Sequence, residues 1–139
     1  MGEVDSTVIA GVIIFVAGQI ISKFAIEPLV EWQKLRGEIV HAIHYYANVY
    51  VAEDGHSREY GERAVGTYRD LAGRVWQQVY YVPLPVYLVA RLFRSIPSKQ
   101  ALREVAASLT GLSNSVFRDD GLLRQQYRAE IYRALRIKQ

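Results

Sequence analysis

The chain has 139 residues, half of them apolar, with three histidines and no cysteine. That length supports one modest core, and the missing thiols exclude disulfides, thiolate metal sites and cysteine nucleophiles. The net charge of +3 is uneven: residues 1–60 carry four Lys/Arg against eight Asp/Glu, and residues 61–139 thirteen against six, so the second half is basic enough to meet phosphate on lipid or nucleic acid.

The first element is "VIAGVIIFVAGQIIS", Val8 to Ser22, which carries no charge. With Lys23 snorkelling, the apolar run continues to Ile26, nineteen residues in all, enough at about 1.5 Å per residue to cross a hydrocarbon core of about 30 Å. The acidic start "MGEVDST" argues against a cleaved signal peptide, which needs a positive n-region. Lys23, Lys34 and Arg36 follow the span and no Lys or Arg precedes it. The expected topology is therefore a single pass through a bacterial inner membrane, with the N-terminus outside and the body in the cytoplasm. Gly11, Gly18 and Ala25 recur at seven-residue intervals, with Ser22 four residues after Gly18. Small side chains on one flank let helices approach closely, and Gln19 at membrane depth seeks a partner on a neighbouring helix. These residues are the expected homo-oligomer interface.

The fold class expected is all-α: residues 1–28 form an N-terminal tail and transmembrane helix, and residues 29–139 a cytoplasmic helical domain. Pro28 marks a kink, but Leu29, Trp32, Leu35, Ile39, Ile43, Tyr46 and Tyr50 keep a helical period, so one long helix is expected from about residue 6 to about 52. "EDGHS" at 53–57 reads as a loop whose serine caps a second helix over about 58–81, antiparallel to the first, with Tyr60, Ala64, Tyr68, Leu71, Val75 and Val79 inward. "VPLP" breaks the chain. "VYLVARLF" is too short to span a bilayer; it belongs in the core, or in the membrane interface with Arg91 and Arg94 towards phosphate, and the core is the favoured placement. Pro97 and Ser98 open a helix that Gly111 is expected to close, and "RDDG" at 118–121 is a turn and cap. The last helix places Leu123, Tyr127, Ile131 and Leu135 on one side, with Arg124, Arg128, Arg133, Arg136 and Lys138 forming a basic amphipathic tail for lipid or a partner.

The chemistry-bearing residues collect in "RGEIVHAIHYYANVY" at 36–50. Glu38, His41, Tyr45 and Asn48 fall on a common face as a polar seam. His41 and His44 with Glu38 follow no metal-ligand spacing motif, so neither a metal nor another cofactor is expected. Arg36 and His41 are the candidate catalytic pair: a histidine moves protons near neutral pH, and an arginine holds a phosphate. An offset of five residues sets them about 140° apart on a helix, so a catalytic centre needs a second chain to complete it. A structural role is the expectation for both.

Arg36 and His41 form an Arg-x-x-x-x-His pattern that resembles the ribonuclease motif of HEPN domains, with Gly37 where that family commonly has a polar residue. The resemblance implies an all-α bundle whose site forms between two copies. The layout "FVAGQI…F.IEPL.EW.KLRGEI", "YYANVY" and "IPS…LTGLSNSVF" resembles small bacterial single-pass membrane proteins. In size and layout the chain is also similar to the membrane accessory proteins of RNA-targeting type VI-B CRISPR systems, which implies an oligomeric pore that depolarises the cell in antiviral defence. The leading expectation is thus a non-enzymatic, oligomeric membrane protein that perturbs the bilayer. Its partners would be itself, the lipid, and an RNA or CRISPR effector protein, with no small-molecule substrate evident. The alternatives are a membrane-tethered HEPN-like ribonuclease and a passive scaffold.

Overall fold

The computed structural model describes residues 3–47, 55–92, 95–118 and 120–137. Asn48 and the expected end of the first helix near residue 52 lie outside them. The described residues are helical with no strand, in an order that runs α1 (Glu3–Ile21), a π-helical turn (Ser22–Ile26), α2 (Glu27–Tyr45), α3 (Gly55–Tyr81), α4 (Leu84–Leu92), α5 (Lys99–Ser115) and α6 (Gly121–Leu135).

α1 and α2 form one uninterrupted rod, and the π turn explains how Pro28 fits within it. A proline inside an α-helix lacks its N–H and clashes with the carbonyl four residues back, here that of Phe24. The wider turn opens that spacing: the Glu27 N–H reaches back five residues to the Ser22 carbonyl, and Pro28 sits in the first turn of α2, where a missing N–H costs least.

The body is built on the apolar faces of α2, α3, α5 and α6. Trp32, Leu35, Ile39 and Ile43 of α2 are buried against Tyr68, Leu71, Val75 and Val79 of α3 and Val105, Leu109 and Leu112 of α5, with Ile131 and Leu135 of α6 closing the far side. α3 packs most extensively on α5, and α5 on α6. α2 and α3 run antiparallel: Arg74 bridges to Glu38, and the Tyr46 hydroxyl lies 3.4 Å from Thr67 Oγ1.

Four local details differ from the expectations or sharpen them. α3 begins at Gly55, so His56 and Ser57 fall in its first turn rather than in a loop. Gly111 does not end α5, which runs on to Ser115; the glycine leaves room for the Tyr127 ring of α6, which stands where a Cβ would be. Two arginines of α6 are tied inward: Arg128 Nη2 donates to the carbonyl of Ala47 at 2.6 Å, and Arg124 Nη1 to those of Arg118 at 2.7 Å and Ser115 at 3.1 Å. Arg128 caps the chain just past the end of α2, and Arg124 adds a second donor to carbonyls that already accept from the Arg118 and Asp120 N–H groups. Finally, α4 reaches the core with one side only, where Val86 and Tyr87 pack beside Ala90. Of its residues only Ala90 is buried, while Leu84, Leu88, Val89 and Leu92 face outward.

α1 stands clear of all this. None of its apolar stretch is buried, and the helix is long and apolar enough to cross a membrane. Ile14 is 72 % exposed and Phe15 65 %. Nothing lies within 4 Å of a Cβ placed on Gly11 or Gly18; Gln19 is exposed, and Ser22 and Ala25 are half-buried.

Candidate functional site

The antiparallel pairing of α2 with α3 leaves an open groove of about 610 Å³ along their outer edge. α2 contributes Glu38, His41 and Tyr45, successive turns of one face, and α3 contributes Thr67, Asp70 and Arg74. Three of the four polar-seam residues therefore line a single groove; the fourth, Asn48, is outside the described residues.

The two ends of the groove differ in chemistry. At one end Arg74 forks onto Glu38: Nη1 meets Oε2, Nη2 donates to Oε1 at 3.2 Å, and Asp70 Oδ2 stands 3.7 Å from the guanidinium. The hydrogen bond from Arg74 holds the Glu38 carboxyl below the usual carboxylate range against a smaller opposing effect of desolvation, and the same bond raises Arg74. At the other end the His41 ring stacks on Tyr45, with centroids 5.7 Å apart and planes 17° from parallel. Tyr45 in turn meets Tyr46 edge-on at 4.9 Å. The Tyr60 hydroxyl donates to the Tyr45 carbonyl at 3.0 Å. Thr67 Oγ1 donates its one proton to the Arg63 carbonyl, so in the contact between Tyr46 and Thr67 the tyrosine is the donor. Beneath this aromatic end lies Tyr68, 2 % exposed, its hydroxyl buried without a hydrogen-bond partner. Burial pushes it up to about 12.

Arg36 belongs elsewhere. It is half-buried in a separate cavity of about 240 Å³ on the other flank of α2, with Trp32, Ile96, Pro97, Leu135 and Arg136. Within one chain, then, the two members of the Arg-x-x-x-x-His pattern open into different cavities. His44 faces α6, where its Nε2 lies 3.2 Å from the Tyr132 hydroxyl. Among the described residues no group of three His, Asp or Glu side chains gathers as a metal site would require. Asp120 caps α6, accepting from the Leu123 N–H at 2.9 Å. What the groove offers is a charged clamp already closed on itself beside an aromatic wall, an arrangement suited to contact more than to proton transfer.

The elements that sequence reasoning missed here come from α3. Arg74 and Thr67 sit 36 and 21 residues from their partners, Glu38 and Tyr46, and nothing local named those partners. Comparison with protein-family models, with curated proteins and with solved structures finds no match to this chain.

Proposed function

We propose that the protein is a single-pass membrane protein of a bacterial inner membrane, with its helical body in the cytoplasm, that assembles with copies of itself through α1 and acts by perturbing the bilayer. One observation carries the anchor: α1 is apolar throughout its middle and buries none of it. Eleven large apolar side chains between Val8 and Ile26 are exposed. At about 1.5 kcal/mol each for removal from water, they represent on the order of 15 kcal/mol, as much as the whole stability of an ordinary domain. Such a helix does not rest in water, and the core it would need is already filled by α2, α3, α5 and α6. Lys23, Lys34 and Arg36 after the span favour a cytoplasmic body.

Assembly through α1 is supported by the open space at Gly11 and Gly18, where a second helix can approach backbone to backbone. Arg36 and His41 open into two cavities of one chain, so a ribonuclease centre would have to be completed by a second copy, and contact roles are the reading we adopt for both. Membrane perturbation, and the antiviral setting that goes with it, follow from the resemblance to pore-forming accessory proteins.

The test is assembly in mild detergent after extraction from a salt-washed membrane pellet. The protein stays in the pellet and runs as an oligomer by native mass measurement, and Gly18→Leu, which forces the helices apart, shifts it towards monomer. Release by salt alone removes the anchor; a monomeric parent protein removes assembly and perturbation together. Induced expression that leaves a potential-sensitive dye unchanged overturns the perturbing activity while leaving the anchor.

A further inference from the structure

A second apolar surface lies on the body itself, and it belongs almost wholly to α4. At about 100° per residue, Leu84, Leu88, Leu92, Pro85 and Val89 spread over an arc of about 140° that faces out, while Val86, Tyr87 and Ala90 face in. The usual order of a surface helix is reversed, since the outward face is the more apolar one. Leu92 is 79 % exposed, and Arg91 sits at the rim of the arc. Tyr87 pins the inward side: its hydroxyl donates to the Pro97 carbonyl at 3.4 Å and accepts from the Lys99 N–H at 2.9 Å.

The position of this face along the rod is fixed by the α2–α3 register. Arg74 stands opposite Glu38; seven residues on, Tyr81 stands level with Glu31, and both line one cavity. α4 opens three residues later, past the break at Val82 and Pro83. After α4 the chain returns to α2 at Gln33, whose Nε2 donates to the Ser95 carbonyl at 3.4 Å. The ends of α4 are therefore tethered, by three residues each, to Tyr81 and Ser95, which stand level with Glu31 and Gln33, about 8 Å, at 1.5 Å per residue, past Ile26, where the apolar run of the rod ends. Three-residue tethers reach from that level into the headgroup layer, the zone into which interfacial helices sink. Tyr80 and Tyr81 of α3, exposed at 74 % and 48 %, stand at the same level, as aromatic residues do at a membrane boundary.

We propose that α4 is an interfacial membrane helix: it lies in the headgroup region of the bilayer that α1 crosses, its leucine face in the acyl boundary and Arg91 towards phosphate, and so ties the body to the membrane at a second point. The inference rests on α1 spanning that bilayer. Glu27 and Glu31 lie near this level with Lys34, Arg91 and Lys99, whose ammonium stands 5.5 Å from the Tyr87 ring centroid, so the local charge nearly cancels. The apolar face drives the contact, and anionic lipid is not required.

Because the chain has no cysteine, single introduced thiols report single sites in the full-length protein. Leu88→Cys, with Leu84→Cys as an independent second site, Ile14→Cys in α1 and Asn114→Cys at the far end of α5, each carry an environment-sensitive fluorophore in phosphatidylcholine vesicles, with and without phosphatidylglycerol. Lipids bearing a shallow nitroxide should quench the α4 labels, and aqueous iodide should quench them several-fold less than the Asn114 label, equally in both lipid mixtures. α4 labels as open to iodide as Asn114, with the Ile14 label in lipid, overturn the interfacial helix and spare the anchor. α4 labels shielded from both quenchers also overturn it, in favour of a second protein copy. An Ile14 label in water with α4 labels in lipid overturns the spanning helix alone, and all labels in water overturn both.

Discussion

Gly111→Ala tests the closest approach in the body. A Cβ at this position would lie 2.5 Å from Tyr127 Cζ and 2.7 Å from Cε1 and Cε2, where carbon atoms ordinarily rest at about 3.5–4.0 Å. The ring must retreat by about 1 Å, and although Tyr127 is only half-buried it packs against the core, so the retreat opens the seam between α5 and α6. Overpacking of this kind costs about 1–3 kcal/mol, while alanine in place of glycine inside a helix returns about 0.8–1 kcal/mol. The net expectation is a loss of about 1 kcal/mol. The same substitution made on a Tyr127→Ala background meets no ring and should gain about 0.8–1 kcal/mol. A sign change of this kind, with a coupling of about 2 kcal/mol, falls within what contacting residues show. Denaturant unfolding in mild detergent, followed by far-UV circular dichroism for the four members of the cycle, reads it. If Gly111→Ala stabilises both backgrounds equally, the ring is not what keeps the glycine there, and the packing argument fails.

Three further outcomes follow from contacts already described. Tyr68→Phe removes a hydroxyl that is buried without a partner and should leave unfolding stability unchanged or raise it by up to about 1 kcal/mol; a loss of more than that would show the hydroxyl to be bonded in solution. Arg128→Ala strips the Ala47 carbonyl of a charged donor and should cost about 1.5–3 kcal/mol, with faster amide exchange at the end of α2 than in the parent protein. For Glu38, whose carboxyl the Arg74 bond holds low, stability is fully present above the unfolded value near 4.3 and is lost as pH falls through the folded one. The pair is half exposed, so its worth is at most about 1 kcal/mol, and Glu38→Gln should abolish that part of the acid sensitivity; an identical acid limb in the variant would refute it.

How far the sequence could be read depended on whether the information was local. The inward faces of α2 and α3 were legible because Trp32, Leu35, Ile39 and Ile43, like Ala64, Tyr68, Leu71 and Val75, keep the helical period without interruption. Two caps were legible because their chemistry lies within four residues: Ser98 Oγ accepts from the Ala101 N–H at 3.0 Å and Asp120 from the Leu123 N–H at 2.9 Å, whereas the cap expected at Ser57 falls inside the first turn of α3. What failed was anything decided by a distant neighbour. Gly111 looks like a helix stop until Tyr127, sixteen residues on, is known to lie against it. The arginines of α6 look like a solvated basic face, and only the fold brings Arg128 to a carbonyl 81 residues away. The groove was half visible, since Glu38, His41 and Tyr45 share a face by spacing alone, but its other wall is supplied by α3. For α4, apolar composition favoured the core, because composition says that a face must be covered without saying by what.

The wide turn at Ser22–Ile26 also gears the rod. Each residue of an α-helix advances about 100° around the axis, and a turn closed five residues back instead of four holds one residue more than its neighbours. Everything on the membrane side is thereby rotated by about 100° relative to where an unbroken α-helix would set it, while the axis runs on. The azimuth between the flank bearing Gly11 and Gly18 and the groove bearing His41 is thus set by this one turn. Closing this turn to an ordinary α turn with every residue kept would swivel α1 about its own shaft and present another flank to its neighbours, whereas losing one residue as it closes would leave the azimuth, and the core of the body, as they were.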